Sequence, residues 1–280
     1  MQKTPRRICL LRAVSAFRRA CYIRHENHPR TGASHGGLAM PGKEEKSPLQ
    51  AAFAKNLKFL NHESYPEDFF RGFFDGRLTT VAAGAVDFPT GRVVLADPLC
   101  YLGTKYETRL DRVIPAGSYD VELAILRSPV AGIRVAAARL AISEAPVVSR
   151  EIAMPEGRKL EELGQPGVWT FFGVDAGLAC FADARTAEEY REFAARWREK
   201  NPEGDIYNDY FARLFAESAA ARPDVQNGYG DFIAWRVPGG SRLTMFSSGL
   251  GDGIYSAYWG LDAGGSPAEL VIPFMNPEFF

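Results

Sequence analysis

From Leu78 onward the chain alternates apolar and polar residues in short runs broken by Gly, Pro and Asp, the period of half-buried strands. In Ser118–Arg127 the residues Tyr119, Val121, Leu123 and Ile125 fall on one face, with Asp120 and Glu122 among the other. Ser128-Pro129 turns that run, and Ile133–Ile142 brings it back. Leu78–Val86 and Arg92–Ala96 flank Phe88-Pro89-Thr90-Gly91, which reads as a hairpin turn. Val168–Val174 and Leu178–Phe181 lie around Asp175-Ala176-Gly177, and Phe232–Val237 and Leu243–Phe246 enclose Pro238-Gly239-Gly240. A glycine loop follows, with Asp252 at its tip. Beyond it Ile254, Ser256 and Tyr258 alternate with Tyr255, Ala257 and Trp259, the period of one strand, and Ala268–Phe274 is the last.

Helical spacing appears in three places. Ser47-Pro48 is an N-cap followed by proline at the first helical position, and Leu49, Phe53, Leu57 and Leu60 recur behind it, predicting a helix that ends near Asn61. Residues Tyr65 to Gly76 hold Phe69, Phe70, Phe73 and Phe74 and predict a short helix or turn plugging the core. Thr186-Ala187-Glu188-Glu189 has the form of a capping box with Thr186 at the N-cap. The helix behind it carries Tyr190, Phe193 and Trp197, and a second carries Ile206 to Phe215 and stops before Pro223. About nine or ten short strands without intervening helices exclude a doubly wound sheet. The expected fold is mainly β (α+β), an antiparallel β-sandwich or open barrel with an N-terminal helix and a helical pair inserted at 186–222.

Residues 1–45 differ from the rest. Ile8, Leu10, Leu11, Val14, Phe17 and Cys21 could line an amphipathic helix, and His25 to Gly37 is loop-like. Residues 1–40 carry eight Lys and Arg against Glu26, a net +7, which leaves the remainder at about −8. Two readings stand for this stretch: a basic targeting or membrane-surface helix, or an unstructured extension with Met40 as the true start. The single β-rich domain is then 46–280. An acidic body argues against binding a phosphate backbone, and no uncharged apolar run approaches the ~18 residues of a membrane span. Cys9, Cys21, Cys100 and Cys180 have no C-x-x-C spacing and read as free thiols of a cytoplasmic protein.

Three ordered segments resemble a bacterial family known only as a domain of unknown function, numbered 4241. They are Pro89-Thr90-Gly91 leading into Val93 to Leu99; Gly173-Val174-Asp175-Ala176-Gly177 with Cys180 to Asp183; and Ser248-Gly249-x-Gly251-Asp252-Gly253-x-Tyr255 with Tyr258-Trp259-Gly260. Pro115-x-Gly117-x-Tyr119 fits as well. The resemblance covers roughly 75 to 275 and implies shared fold but no assigned activity. Leu250 stands where the family more often has tryptophan, and Pro273 where it tends to have an acid.

The histidines are His25, His28, His35 and His62, so none lies between Glu63 and Phe280. That removes the usual general base and the imidazole metal ligand from the body of the fold. Gly249-x-Gly251-x-Gly253 lacks the spacing of a dinucleotide loop, and no lysine accompanies it. Asp97, Asp175, Asp183 and Asp252 remain as catalytic candidates. Each is also a natural turn-former beside Gly or Pro; gathered at one rim, they could hold a divalent cation or act as an acid/base pair. Ser248, Gly249, Gly251, Asp252, Gly253, Tyr255, Tyr258 and Trp259 form the candidate binding face, although about half the aromatics of a strand must point inward. With no cofactor motif, the expectation is a non-catalytic binding or immunity-type module that masks a partner protein. A metal-assisted hydrolase built on the aspartates is the alternative, and a purely structural role for all three motifs is a third reading.

Overall fold

A computed structural model describes residues 47–280. The strands alternate between two cores. β1 (Thr79–Phe88), β4 (Gly117–Ser128), β5 (Gly132–Ala141), β13 (Pro267–Pro273), β12 (Tyr258–Leu261) and β6 (Ser149–Ile152) form a six-stranded sheet in that order. β3 (Thr108–Val113), β2 (Arg92–Ala96), β8 (Leu178–Asp183), β10 (Arg242–Ser247) and β9 (Phe232–Arg236) form a five-stranded one, and β7 (Phe171–Val174) pairs with β11 (Gly253–Ser256) in a separate ribbon. Every strand pairing is antiparallel. Val121, Leu123, Leu140, Leu270 and Ile272 of the large sheet share one core with Val93, Leu95, Phe181 and Phe246 of the smaller. The alternate residues Val94, Ala96, Cys180, Ala182, Leu243 and Met245 pack beneath a helical pair instead. A buried strand such as β8 therefore reads as a continuous apolar run.

That helical pair is α3 (Ala184–Lys200) and α4 (Ala212–Ala221), the latter entered through a wide turn over Tyr207–Phe211. Two further helices, α1 (Pro48–Phe59) and α2 (Glu67–Phe74), precede β1. Ser47 caps α1 as the sequence predicts: its hydroxyl accepts from the Gln50 N–H, and the Gln50 side chain accepts from the Ser47 N–H. Phe70 and Phe73 are buried. The sandwich, the helix before it and the inserted pair match the sequence reading. The expected helix over Ile8–Cys21 and the extension 1–45 lie outside the described residues.

Three expectations need correction, and two strands were not expected. Thr186 does not cap α3; Asp183 does, accepting from the Arg185 N–H, while Thr186 lies inside the helix and its hydroxyl donates to the Asp87 carbonyl. A carboxylate at a strand end outcompeted the hydroxyl because it reaches both the helix amide and the preceding turn. Phe88–Gly91 is not a hairpin: β1 pairs with β4 and β2 with β3 and β8. Phe88 is fully buried and Pro89 has no N–H for a ladder, so the chain steps from one sheet into the other. The run from Gly253 to Leu261 is two strands, β11 and β12, separated at Ala257 and placed in different sheets. β3 and β6 are short, charged strands that the alternation pattern does not reveal.

Gly91 (φ +72°) and Gly132 (φ +73°) share a left-handed backbone but not their surroundings. A Cβ on Gly91 would lie 1.9 Å from the Ile114 carbonyl oxygen, far inside contact distance, whereas nothing lies within 4 Å of one on Gly132. Gly132→Ala is expected to cost about 1 kcal/mol from backbone strain alone. Gly91→Ala adds a main-chain clash and is expected to cost about 3 kcal/mol or more, read as the difference in urea-unfolding free energy between the two variants.

Candidate functional site

β2 and β8 are neighbours in the smaller sheet, with Val93 opposite Asp183 and Ala96 opposite Cys180. Each ends in an aspartate that holds the chain entering the other. Asp97 accepts the N–H groups of Asp175 (3.0 Å) and Ala176 (2.6 Å) on Oδ2 and that of Leu99 (2.9 Å) on Oδ1. It is fully buried, and loss of solvent lifts its carboxyl to about 6, against the pull of the Ala176, Leu99, Asp175 and Cys100 amides. Asp183 accepts the Thr90 N–H (3.0 Å) and hydroxyl (2.7 Å) on Oδ2 and the Arg185 N–H (2.8 Å) on Oδ1.

Asp97 and Asp175 thus sit at one pole of the smaller sheet, and the glycine loop joins them. The Ser248 N–H donates to the Gly177 carbonyl (3.0 Å), and the pairing of Gly253 with Val174 sets Asp252 next to Asp175 in the ribbon's register. Asp183 does not join this group. The six residues of β8, at ~3.4 Å each, separate it from the Asp175 turn. One rim therefore gathers three of the four candidate carboxylates, and the fourth belongs to the opposite end.

The glycine loop is packed rather than open. Ser248, Gly249 and Gly251 are buried. The Ser248 hydroxyl donates to the Gly251 carbonyl (2.9 Å), and the Tyr255 hydroxyl reaches the Gly251 (2.7 Å) and Ser248 (3.1 Å) carbonyls from below. Burial raises the Tyr255 phenol above its ordinary value. Tyr258 donates to the His62 carbonyl (2.7 Å) and packs on Phe70, and Trp259 is fully enclosed. Of the eight residues expected to form a binding face, Asp252 is exposed, Gly253 is half-buried and the others are buried. The three aromatics turn inward because the chain changes sheet between Tyr255 and Tyr258, which cancels the alternation expected of a single strand.

What the pole offers solvent is Asp252 and Ile254, with Asp175, Tyr101 and Leu250 half-buried. The Tyr101 hydroxyl donates to Asp175 Oδ2. Burial, then this bond and the charge behind it, push the phenol above its usual range. Tyr101 was not singled out in the sequence; it lies in the turn opened by Asp97, whose carbonyl accepts the Tyr101 N–H (2.8 Å), and that spacing was the available signal. Asp231 was also missed. It is buried at the same pole, bonded to the Asn227 N–H (2.6 Å) and the Ser247 hydroxyl (2.9 Å), and burial raises its carboxyl. Among the described residues no group of three His, Cys, Asp or Glu is placed to hold a metal ion, and no helix is long and apolar enough to cross a membrane.

Two clefts lie elsewhere. One of about 450 Å³ sits at the Asp183 pole, between Asp87, Pro89, Gly117, Arg185, Glu189 and the 239–241 turn. One of about 280 Å³ lies between the 103–109 segment and α3. Neither is lined by Asp97, Asp175 or Asp252.

A sequence profile described as "Protein of unknown function (DUF4241)" matches residues 86–272, two thirds of the chain, and the chain belongs to that family. No curated protein and no solved structure matches it.

The Asp97 carboxyl titrates near 6 in the fold against an ordinary 3.8. The folded state holds a proton that the unfolded chain releases, so this contribution to stability is complete below about pH 4 and is lost as pH rises through about 6. The expected decline is on the order of 3 kcal/mol. Urea unfolding at a series of pH values checks it: the decline disappears in Asp97→Asn, which is less stable throughout because its –NH2, a donor, replaces one accepting oxygen and leaves a main-chain N–H unpaired.

Proposed function

We propose that this member of the family is a non-catalytic binding module, and more narrowly an immunity-type protein that masks a partner protein in the bacterial cytoplasm. One observation carries the reading: two carboxylates of the shared motifs are engaged by main-chain amides. Asp97 and Asp183 are buried, each with two donors from outside its own turn or helix start, and Asp183 also caps its helix through the Arg185 N–H. A general base must come within hydrogen-bond reach of a substrate proton, and neither side chain has an oxygen turned outward to do so. The Asp97 bonds fix the Asp175 turn, to which the glycine loop bearing Asp252 is joined, while the Asp183 bonds hold Thr90 and the start of α3 at the opposite pole. A preorganised loop surface loses little entropy on association, which suits recognition. The buried Cys180, which is in no disulfide, supports a reducing compartment, and the acidic body supports a partner other than nucleic acid.

A carboxylate hydrolase is the second reading. It is favoured by the half-buried Asp175, which carries a phenol on one oxygen, stands on the Asp97 turn and has Asp252 beside it in the ribbon. In that reading Asp175 and Asp252 share the proton-transfer work.

Chromogenic phosphoester, carboxylester, glycoside and peptide substrates, each with Mg²⁺ and with Ca²⁺, separate the two. The binding reading expects no turnover that Asp175→Asn or Asp252→Asn abolishes. Hydrolysis that falls tenfold or more in Asp175→Asn at unchanged melting temperature overturns it. Calorimetry against the purified products of neighbouring genes supplies the positive arm. The expected result is a specific complex whose Kd weakens by about tenfold in Asp252→Lys/Ile254→Glu, equivalent to about 1.4 kcal/mol.

A further inference from the structure

The cleft of about 280 Å³ between the 103–109 segment and α3 has a charged lining: Lys105, Arg109 and Arg191 against Glu107 and Glu188. Close packing builds its wall. Gly103 has a left-handed backbone (φ +73°), and a Cβ there would come within 2.7 Å of both the Ala187 carbonyl oxygen and Arg191 Cβ. The turn that bears Lys105 is therefore pressed against the part of α3 that bears Arg191. The Glu107 side chain, only 4% exposed, is engaged through both oxygens inside this wall. Oε2 accepts the Gly103 N–H (2.7 Å), and Oε1 accepts Nε (2.9 Å) and Nη2 (2.8 Å) of Arg109. That fixes the Arg109 guanidinium and leaves its Nη1 without a bond among the described residues.

Glu107 and Arg109 cancel each other, so Lys105 and Arg191 decide the sign of the cleft. Both are exposed, and neither is in an ion pair among the described residues; Lys105 has only the Tyr106 ring beneath its Nζ, at 5.0 Å. Glu188, also exposed, is the one carboxylate of the lining left to oppose them. A concave site lined by cations concentrates anions, here on a body whose charge is otherwise about −8. Residues 1–40 carry +7, the same sign as the cleft, and so do not complement it. A volume just under the ~300 Å³ at which small-molecule pockets begin suits a compact head group.

Three donor groups meet there: an ammonium, a guanidinium fork and the spare Nη1 of a second guanidinium whose other nitrogens are already held. A carboxylate offers two oxygens to such a set, whereas a phosphoryl group offers three and a second charge. We infer that this cleft binds a dianionic phosphoryl group, of a small phosphate monoester or of free phosphate, through Lys105, Arg191 and Arg109 Nη1, with Glu188 as a carboxylate that limits affinity. The inference goes beyond the binding reading above and does not rest on Asp175 or Asp252.

NMR of the full-length, ¹⁵N-labelled protein tests it, buffered above the second phosphate pKa of about 6 and at constant ionic strength. Sodium phosphate is expected to shift the Gly103, Thr104 and Arg191 amides saturably, with a Kd of about 1 mM. Lys105→Ala and Arg191→Ala are each expected to weaken binding by about tenfold and Glu188→Gln to tighten it by about threefold, while Lys159→Ala, the same loss of charge elsewhere, leaves it unchanged. Phenyl phosphate separates the two sources: binding at least as tight as inorganic phosphate identifies a monoester site, and weaker binding a site for the free ion. No saturable shift at about 10 mM phosphate overturns the proposal. So does weakening in Lys159→Ala equal to that in Lys105→Ala, or a Glu188→Gln protein that binds no tighter. Shifts that sodium sulfate reproduces in full mean an adventitious ion only, and overturn it as well.

Discussion

The reciprocal grip of β2 and β8 governs much of this molecule. Asp97 ends β2 and holds the amides that lead into β8; Asp183 ends β8 and holds Thr90, which leads into β2. Two antiparallel strands are thereby fixed at both ends by carboxylate hydrogen bonds, independently of their ladder. A buried carboxylate bonded to several amides is tolerated because the amides replace the lost water, and removing it leaves those donors unsatisfied inside the protein. The consequences spread outward. The Asp97 turn places Tyr101 against Asp175, the Asp183 turn starts α3, and Thr90 hands the chain from one sheet to the other.

The opposite placement of Asp183 was available in the sequence. Asp175 precedes the run Leu178–Asp183 and Asp183 ends it, so one strand length had to separate them whatever the fold. Shared texture suggested a common neighbourhood, but strand direction decides the pole. The local pattern did reveal most strands, the β4–β5 and β9–β10 hairpins, the Ser47 cap and the sandwich class. It could not reveal the steps between sheets. Period-two alternation looks the same whether a run stays in one sheet or crosses at Ala257, because each half still has an inner and an outer face. Whether Tyr258 and Trp259 face solvent is settled only by what lies over each sheet.

Helix α2 shows how the outer face of the large sheet is closed. Arg139 bonds Glu122 (2.7 Å) and Glu269 (3.3 Å), and Arg150 bonds Glu269 (2.5 Å) and Glu67 (2.8 Å), a chain of charges across β4, β5, β13 and β6 that ends on the helix. Phe74 and Phe70 lie against the two guanidinium groups, at 4.2 and 4.5 Å from ring centre to carbon. Charges this enclosed gain little net stability, because desolvation offsets attraction. Their geometry fixes instead where α2 sits. Gly260 belongs to this arrangement: a Cβ there would come within 2.7 Å of Glu269 Cγ and 3.1 Å of Arg150 Nη1. The motif Tyr258-Trp259-Gly260 thus combines two core rings with the gap that a buried ion pair needs.

The same logic separates a signature that encodes a fold from one that encodes a reaction. Asp97, Asp183, Tyr255 and Gly260 are each accounted for by the bonds and packing around them, whereas Trp259 fills the core with its buried indole N–H unpartnered. Asp175 and Asp252 are different. Asp175 stands on the turn that Asp97 holds, at the surface, with its phenol partner raised by burial and by the carboxylate itself. The Tyr101 hydroxyl fixes the orientation of the Asp175 side chain, and Asp252 adds a second carboxylate where Gly253 meets Val174. Two acidic groups on a rigid ribbon, flanked by Ile254 and Leu250, make a small surface with an apolar centre and an anionic margin.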